Sequence, residues 1–276
     1  MSYKTILVHI DSGKHTEKRL AVAINLTKKY DAYLVGLYVF SPYIPPGYIM
    51  AQMGAEIEAA QNKIAVESMS HAEEVFRKQT SAAGLHDIEW QTAYTEPVQA
   101  VSSRARYADL VVIGQSDSKD DSGVDMDFPE RLVLTAGRPV LILPNAGDFP
   151  TIGKRIIVAW NGSQEATRAI SNATPFLRSA DKVYVMVVNS ENSTKDIIQS
   201  EKMVHYLERL GIQAEVKDLH GIEIDVGNEL LSSASDLSAD LIVMGCYGHS
   251  RLREWVLGGA TRTILESMTV PVLMSH

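Results

Sequence analysis

One pattern occurs twice along this chain. Lys4-Thr-Ile-Leu-Val-His-Ile-Asp11 pairs with Lys154-Arg-Ile-Ile-Val-Ala-Trp-Asn161 at an offset of 150. Ala108-Asp-Leu-Val-Val-Ile-Gly114 pairs with Ala239-Asp-Leu-Ile-Val-Met-Gly245 at 131, and Arg138-Pro-Val-Leu-Ile-Leu-Pro144 with Val270-Pro-Val-Leu-Met-Ser-His276 at 132. An internal duplication restricts the fold to two copies of one unit. The fall from 150 to 131 leaves 19 additional residues in the first copy, between its first and fourth strands. They are expected near Ser41-Pro-Tyr-Ile-Pro-Pro-Gly-Tyr-Ile-Met50 and in the helix that follows, because Pro-Pro-Gly cannot continue a strand.

Within each copy short apolar runs alternate with helical patterns, which predicts α/β units whose parallel sheets are covered on both faces. The second copy reads as strands near 155–160, 183–188, 214–218, 240–244 and 271–275, with helices near 163–178, 194–210, 225–237 and 259–268. Ala166, Ala169, Ile170, Ala173, Phe176 and Leu177 fall on one helical face, as do Val226, Leu230, Ala234 and Leu237. The first copy reads as strands near 4–10, 33–39, 87–93, 109–113 and 139–143, with helices near 15–29, 55–84, 96–106 and 129–136. Pro97 and Pro129 occupy first-turn positions, and Gly84 and Gly137 are C-terminal stops. A linker over 145–153 then separates domains at 1–145 and 153–276, each long enough to bury its own core.

Gly245-Cys-Tyr-Gly248 leaves the carboxyl end of the apolar run Leu241-Ile-Val-Met244, the edge at which open α/β sheets bind ligands. Gly258-Gly-Ala-Thr261 then opens a helix whose first free N–H groups can face an anion, and Gly245 and Gly248 would admit a phosphate close to the backbone. The pattern Gly-x2-Gly-x9-Gly, a small residue, one more residue and Ser/Thr, followed by a helix and a Val-Pro-Val-Leu strand, resembles the nucleotide-binding signature of the universal stress proteins. Gly245, Gly248, Gly258 and Thr261 match it, and Gly259, ahead of Ala260, stands where many members carry Ser. The resemblance covers nearly the whole chain as a tandem. It implies two doubly wound, parallel five-stranded sheets of the Rossmann-like, adenine nucleotide alpha hydrolase-like type, paired about a pseudo-twofold through the last strands, Val140-Leu-Ile142 against Val272-Leu-Met274.

The same resemblance implies an adenine nucleotide, ATP with or without Mg, and a part in stress response or signalling. It places the nucleoside against Ala159, Trp160, Val187 and Val188, all four of which equally suit a sheet core, with Trp160 able to stack on a base or fill the pocket itself. The family's Asp after the first strand corresponds to Asp11 and Asn161; Asn161 keeps a donor and an acceptor without charge. His249, Ser250 and Arg251, with Arg253 beyond, are phosphate-side candidates, against the alternative of solvation or pairing with Glu254.

The first copy departs from the signature. Asp117 replaces its second glycine, acids follow at 120, 121, 125 and 127, and Phe128-Pro-Glu130 opens the next helix, so a triphosphate would meet repulsion there. The acidic spacing lacks the pattern of a calcium loop, and no metal site is expected. A net charge of −8 argues against nucleic acid as a partner, and no apolar run reaches membrane-spanning length. With one cysteine, Cys246, no intrachain disulfide can form, and the start of the chain lacks a signal-peptide pattern, so a cytoplasmic protein is expected. Homodimerisation of the paired domains is left open. The alternatives are an interaction module, or one taking a lipid-like ligand by the 44–50 segment, and a slow ATP hydrolase. The chain has neither a Walker sequence nor the Ser-Gly-Gly-x-Asp-Ser loop of synthetase-like relatives, and no catalytic residue is assigned.

Overall fold

The computed structural model describes residues 2–41, 47–117, 124–187, 194–218, 226–246 and 259–276. The first half runs β1 (Thr5–Ile10), α1 (Thr16–Tyr30), β2 (Tyr33–Phe40), α2 (Gly47–Ala82), β3 (Ile88–Tyr94), α3 (Pro97–Ala105), β4 (Leu110–Gly114), α4 (Phe128–Thr135) and β5 (Val140–Leu143). The second repeats the order with β6 (Arg155–Trp160), α5 (Gln164–Arg178), β7 (Lys182–Val187), α6 (Thr194–Arg209), β8 (Ala214–Asp218), α7 (Val226–Asp236), β9 (Leu241–Gly245), α8 (Gly259–Ser267) and β10 (Val272–Ser275).

Among the described residues the strands form one sheet in the order β3-β2-β1-β4-β5-β10-β9-β6-β7-β8. Pairing is parallel within each half and antiparallel at the centre, where Val272, Leu273 and Met274 lie opposite Ile142, Leu141 and Val140. Joining the two last strands removes two exposed edges at once. It also makes the cores continuous. One face gathers Val8, Ile10, Leu34, Leu141, Val158, Val185 and Phe176, and the other gathers Leu7, Leu37, Ile142, Ile157, Ile242 and Met274.

The repeated Ala-Asp-Leu step has a structural cause. The Asp109 carboxylate accepts from the N–H groups of Lys4 and Thr5 at 2.8 and 3.0 Å, and Asp240 does the same for Lys154 and Arg155 at 3.1 and 2.9 Å. Each aspartate therefore ties the start of its half's first strand to the start of its fourth. The halves also meet through rings, with Tyr3, Tyr30 and Phe176 packed at centroid distances of 5.1 to 5.5 Å.

The largest departure from the expected elements is α2, which begins at Gly47 rather than near 55. Gly54 lies inside it, and the roughly 1 kcal/mol that a helix-interior glycine costs does not end a helix of this length. At 36 residues against 16 for α6, this helix absorbs most of the first copy's additional length. Residues 42–46 of the expected insertion lie outside the described residues. Among the described residues no helix is long and apolar enough to cross a membrane.

Candidate functional site

The carboxyl ends of β1 and β4 in the first half, and of β6 and β9 in the second, are equivalent places in the two repeats. In the first half that place is closed. Arg19, 5% exposed, reaches from α1 so that Nη2 lies 2.7 Å from Asp11 Oδ2, Nη2 donates to Thr16 Oγ1 at 2.9 Å, and Nε donates to the His9 carbonyl at 2.7 Å. The Thr16 hydroxyl and the Gly13 N–H also donate to Asp11 Oδ1, the latter at 2.9 Å.

Burial by itself would raise the Asp11 carboxyl. The Arg19 guanidinium, with smaller help from His9, Thr16 and Gly13, overcomes it and holds the group down at about 2. His9, 1% exposed, is pushed down to about 4, mainly by burial, with Asp11 opposing and Arg19 adding to the shift. Its ring lies 5.0 Å from that of Phe128, and its Nε2 has no hydrogen-bond partner among the described residues.

Gly114 has room only because it lacks a side chain: a Cβ there would meet the Arg19 guanidinium. Over the mouth, Asp117 Oδ2 sits 2.9 Å from Lys14 Nζ and 3.9 Å from His15 Nε2. What remains among His9, Asp11, Arg19, Asp117 and Phe128 is a cavity of about 20 Å3, room for about one water molecule. The acid that replaces the second signature glycine thus closes this place together with a lysine.

The second half differs at each of these positions. By the repeat offset of 150, Ala159 stands for His9, Asn161 for Asp11, Ala166 for Thr16 and Ala169 for Arg19. Asn161 keeps the local turn, its Oδ1 accepting from the Ser163 N–H at 3.1 Å, but it is exposed where Asp11 is buried. Ser163 then caps α5 by accepting from the Ala166 N–H at 3.1 Å.

Ala159, Trp160 and Val187 are buried in the sheet cores. Trp160, 9% exposed, ends β6 with its indole N–H buried and without a partner among the described residues. Gly245 serves a role the sequence did not indicate. A Cβ there would strike the Ala166 backbone and come within 2.5 Å of the Glu165 carbonyl carbon, so this glycine admits the first turn of α5.

At the far side of the turn, Gly259 and Ala260 open α8 and Thr261 is buried in its first turn. Among the described residues nothing lies within 4 Å of where a Gly259 side chain would be, and β9 and β10 are parallel, which puts the α8 N-terminus at the same edge as Asn161. Thr261, Gly259, Ala260, Gly245 and Asn161 therefore share one edge of the sheet. Val188, Gly248, His249, Ser250, Arg251, Arg253, Gly258, Asp120 and Asp121 lie outside the described residues. Among the described residues no group of three or more His, Cys, Asp or Glu side chains is placed to hold a metal ion.

The universal stress protein family model matches residues 2–144 and again 153–276. The chain belongs to the universal stress protein family. A universal stress protein of Synechocystis sp. is 29% identical over 149 residues, 52% of this chain and 49% of that protein, so the chain spans about half the length of the curated relative it matches. A universal stress protein structure from Archaeoglobus fulgidus superimposes with a TM-score of 0.74 at 18% identity, covering 98% of this chain and 97% of that one. A structure described as a putative universal stress protein from Pseudomonas aeruginosa covers 99% and 93%, with a TM-score of 0.61 at 15% identity. At such identities these two structures show the fold of this universal stress protein.

Proposed function

We propose that this tandem universal stress protein binds ATP or a related adenine nucleotide in a domain formed by residues 153–276, and that residues 1–145 form a closed partner domain. The observation that carries this reading is the contrast between the halves. Where Arg19, Asp11 and Thr16 close the first, the second has Ala169, an exposed Asn161 and Ala166, beside a buried indole N–H without an acceptor among the described residues. An unpaired buried donor is costly, and a ligand oxygen or ring nitrogen would remove that cost. The first-turn N–H groups of α8 are suited to a phosphate, and the 245–261 segment matches the family's nucleotide signature at Gly245, Gly248, Gly258 and Thr261.

Calorimetric titration with ATP, with and without Mg, tests the reading. Heat of binding is expected for the native chain and none for Gly248→Asp; a flat titration of the native chain would refute it. Phosphate release above the Gly248→Asp control would add hydrolysis to binding.

A second reading, a small apolar ligand, has one observation in its favour. Ala21, Val22, Leu143, Phe149 and Pro150 line a groove of about 250 Å3 between α1 and the linker. An apolar dye displaced by fatty acid but not by ATP would support it.

A further inference from the structure

The closed half reaches into the open one through the side chain of Gln115. Gln115 follows β4, in the position that Cys246 occupies after β9. Its Nε2 donates across the junction to the carbonyls of Leu265 and Glu266, at 2.8 and 3.2 Å, while its Oε1 accepts from the Asn145 N–H at 3.1 Å. The orientation of the amide is fixed by its neighbours, since two carbonyls can only accept and a backbone N–H can only donate. Leu265 and Glu266 lie in the last turn of α8, whose carbonyls have no partner within the helix.

At the equivalent place in the second half Cys246 has a shorter side chain, and its Sγ donates to Ser275 O on the adjacent strand at 3.3 Å. Asn145 adds a second tie, donating from Nδ2 to the Ser116 carbonyl at 3.2 Å, so the start of the linker is locked to the same point. The helix is also held from α7. A Cβ at Gly227 would come within 2.9 Å of the Ala260 carbonyl and 2.7 Å of the Thr263 Cβ, so α7 approaches α8 as closely as a glycine permits.

We infer that Gln115 is a positioning residue for the second-half site: by holding the C-terminal carbonyls of α8 it fixes where the helix presents Gly259, Ala260 and Thr261. A helix of nine residues is only about 13 Å long and moves as one piece, so an anchor at one end sets the other. The loss of the glycine signature in the first half and the gain of this clasp occur in the same segment. The inference rests on the proposed nucleotide site for its functional consequence and on α8 itself for its structural one.

Two variants separate donor loss from packing loss. Gln115→Met keeps the length and removes all three bonds, and Gln115→Glu keeps the shape and the acceptor but cannot donate. Hydrogen exchange followed by mass spectrometry over residues 259–268 is expected to quicken about fivefold in both, the size of one lost hydrogen bond, with α4 unchanged. Calorimetry is expected to show ATP binding weakened several-fold while the melting temperature barely moves. Unchanged exchange in α8 would overturn the inference, and so would quicker exchange with unaltered ATP affinity. If the native chain binds no nucleotide, the proposed function fails separately and the exchange comparison alone decides whether Gln115 holds α8.

Discussion

Burial of the Arg19 guanidinium beside Asp11 makes the closure of the first half depend on charge pairing. Arg19→Met leaves a carboxylate in a dry place with no cation, and denaturant unfolding is expected to show a loss of about 3–5 kcal/mol, much of it restored by adding Asp11→Asn. His9 and Asp11 both sit below their ordinary values, 6.5 to about 4 and 3.8 to about 2. The unfolded chain therefore takes up each proton at a higher pH than the folded one. Their contribution is complete above pH 6.5 and is lost as the pH falls towards 4 for His9 and then 2 for Asp11. For His9 the loss amounts to about 3 kcal/mol, and melts between pH 7 and 4 should show a shallower slope in His9→Leu. None of this was legible in the chain. Arg19 lies between Lys18 and Leu20 on a helix, where an arginine ordinarily reaches solvent, and only the fold brings it to Gly114.

At the scale of elements, glycines with the same place in the repeat do different work. A side chain at Gly245 collides with the backbone of α5, whereas one at Gly114 meets the tip of a side chain. Gly245→Ala is therefore expected to cost about 1–3 kcal/mol and to cost more than Gly114→Ala, as read from urea midpoints; equal losses would contradict the packing argument. Strand and helix order followed directly from the apolar periodicity, because strands buried on both faces read as continuous runs such as Leu110-Val-Val-Ile113. The start of α2 did not, since Gly47 and Gly54 read locally as breaks. The Gln115 clasp was equally hidden, because its partners are carbonyls 150 residues away and carry no sequence signal.

For the whole molecule, the antiparallel join of β5 and β10 makes two repeats into one unit. Leu141 and Leu273 face each other at the join and are fully buried, and both side-chain layers cross it. Calorimetric unfolding is accordingly expected as one cooperative transition, and Leu141→Ala should lower stability by about 2–5 kcal/mol; two resolved transitions would mean that the halves unfold independently. That join was expected from the resemblance to the universal stress proteins, which implies pairing through the last strands, Val140-Leu-Ile142 and Val272-Leu-Met274. The closure of the first half was half readable: the acids at 117–127 marked it as unsuited to phosphate, while the Arg19 and Thr16 side chains that fill its space come from α1 and carried no such signal. Native mass spectrometry of the purified chain with ATP tests the central claim most directly. One nucleotide per chain, lost in Gly248→Asp and kept in Asp117→Ala, is the expected result; two per chain, none, or one that survives Gly248→Asp would contradict it.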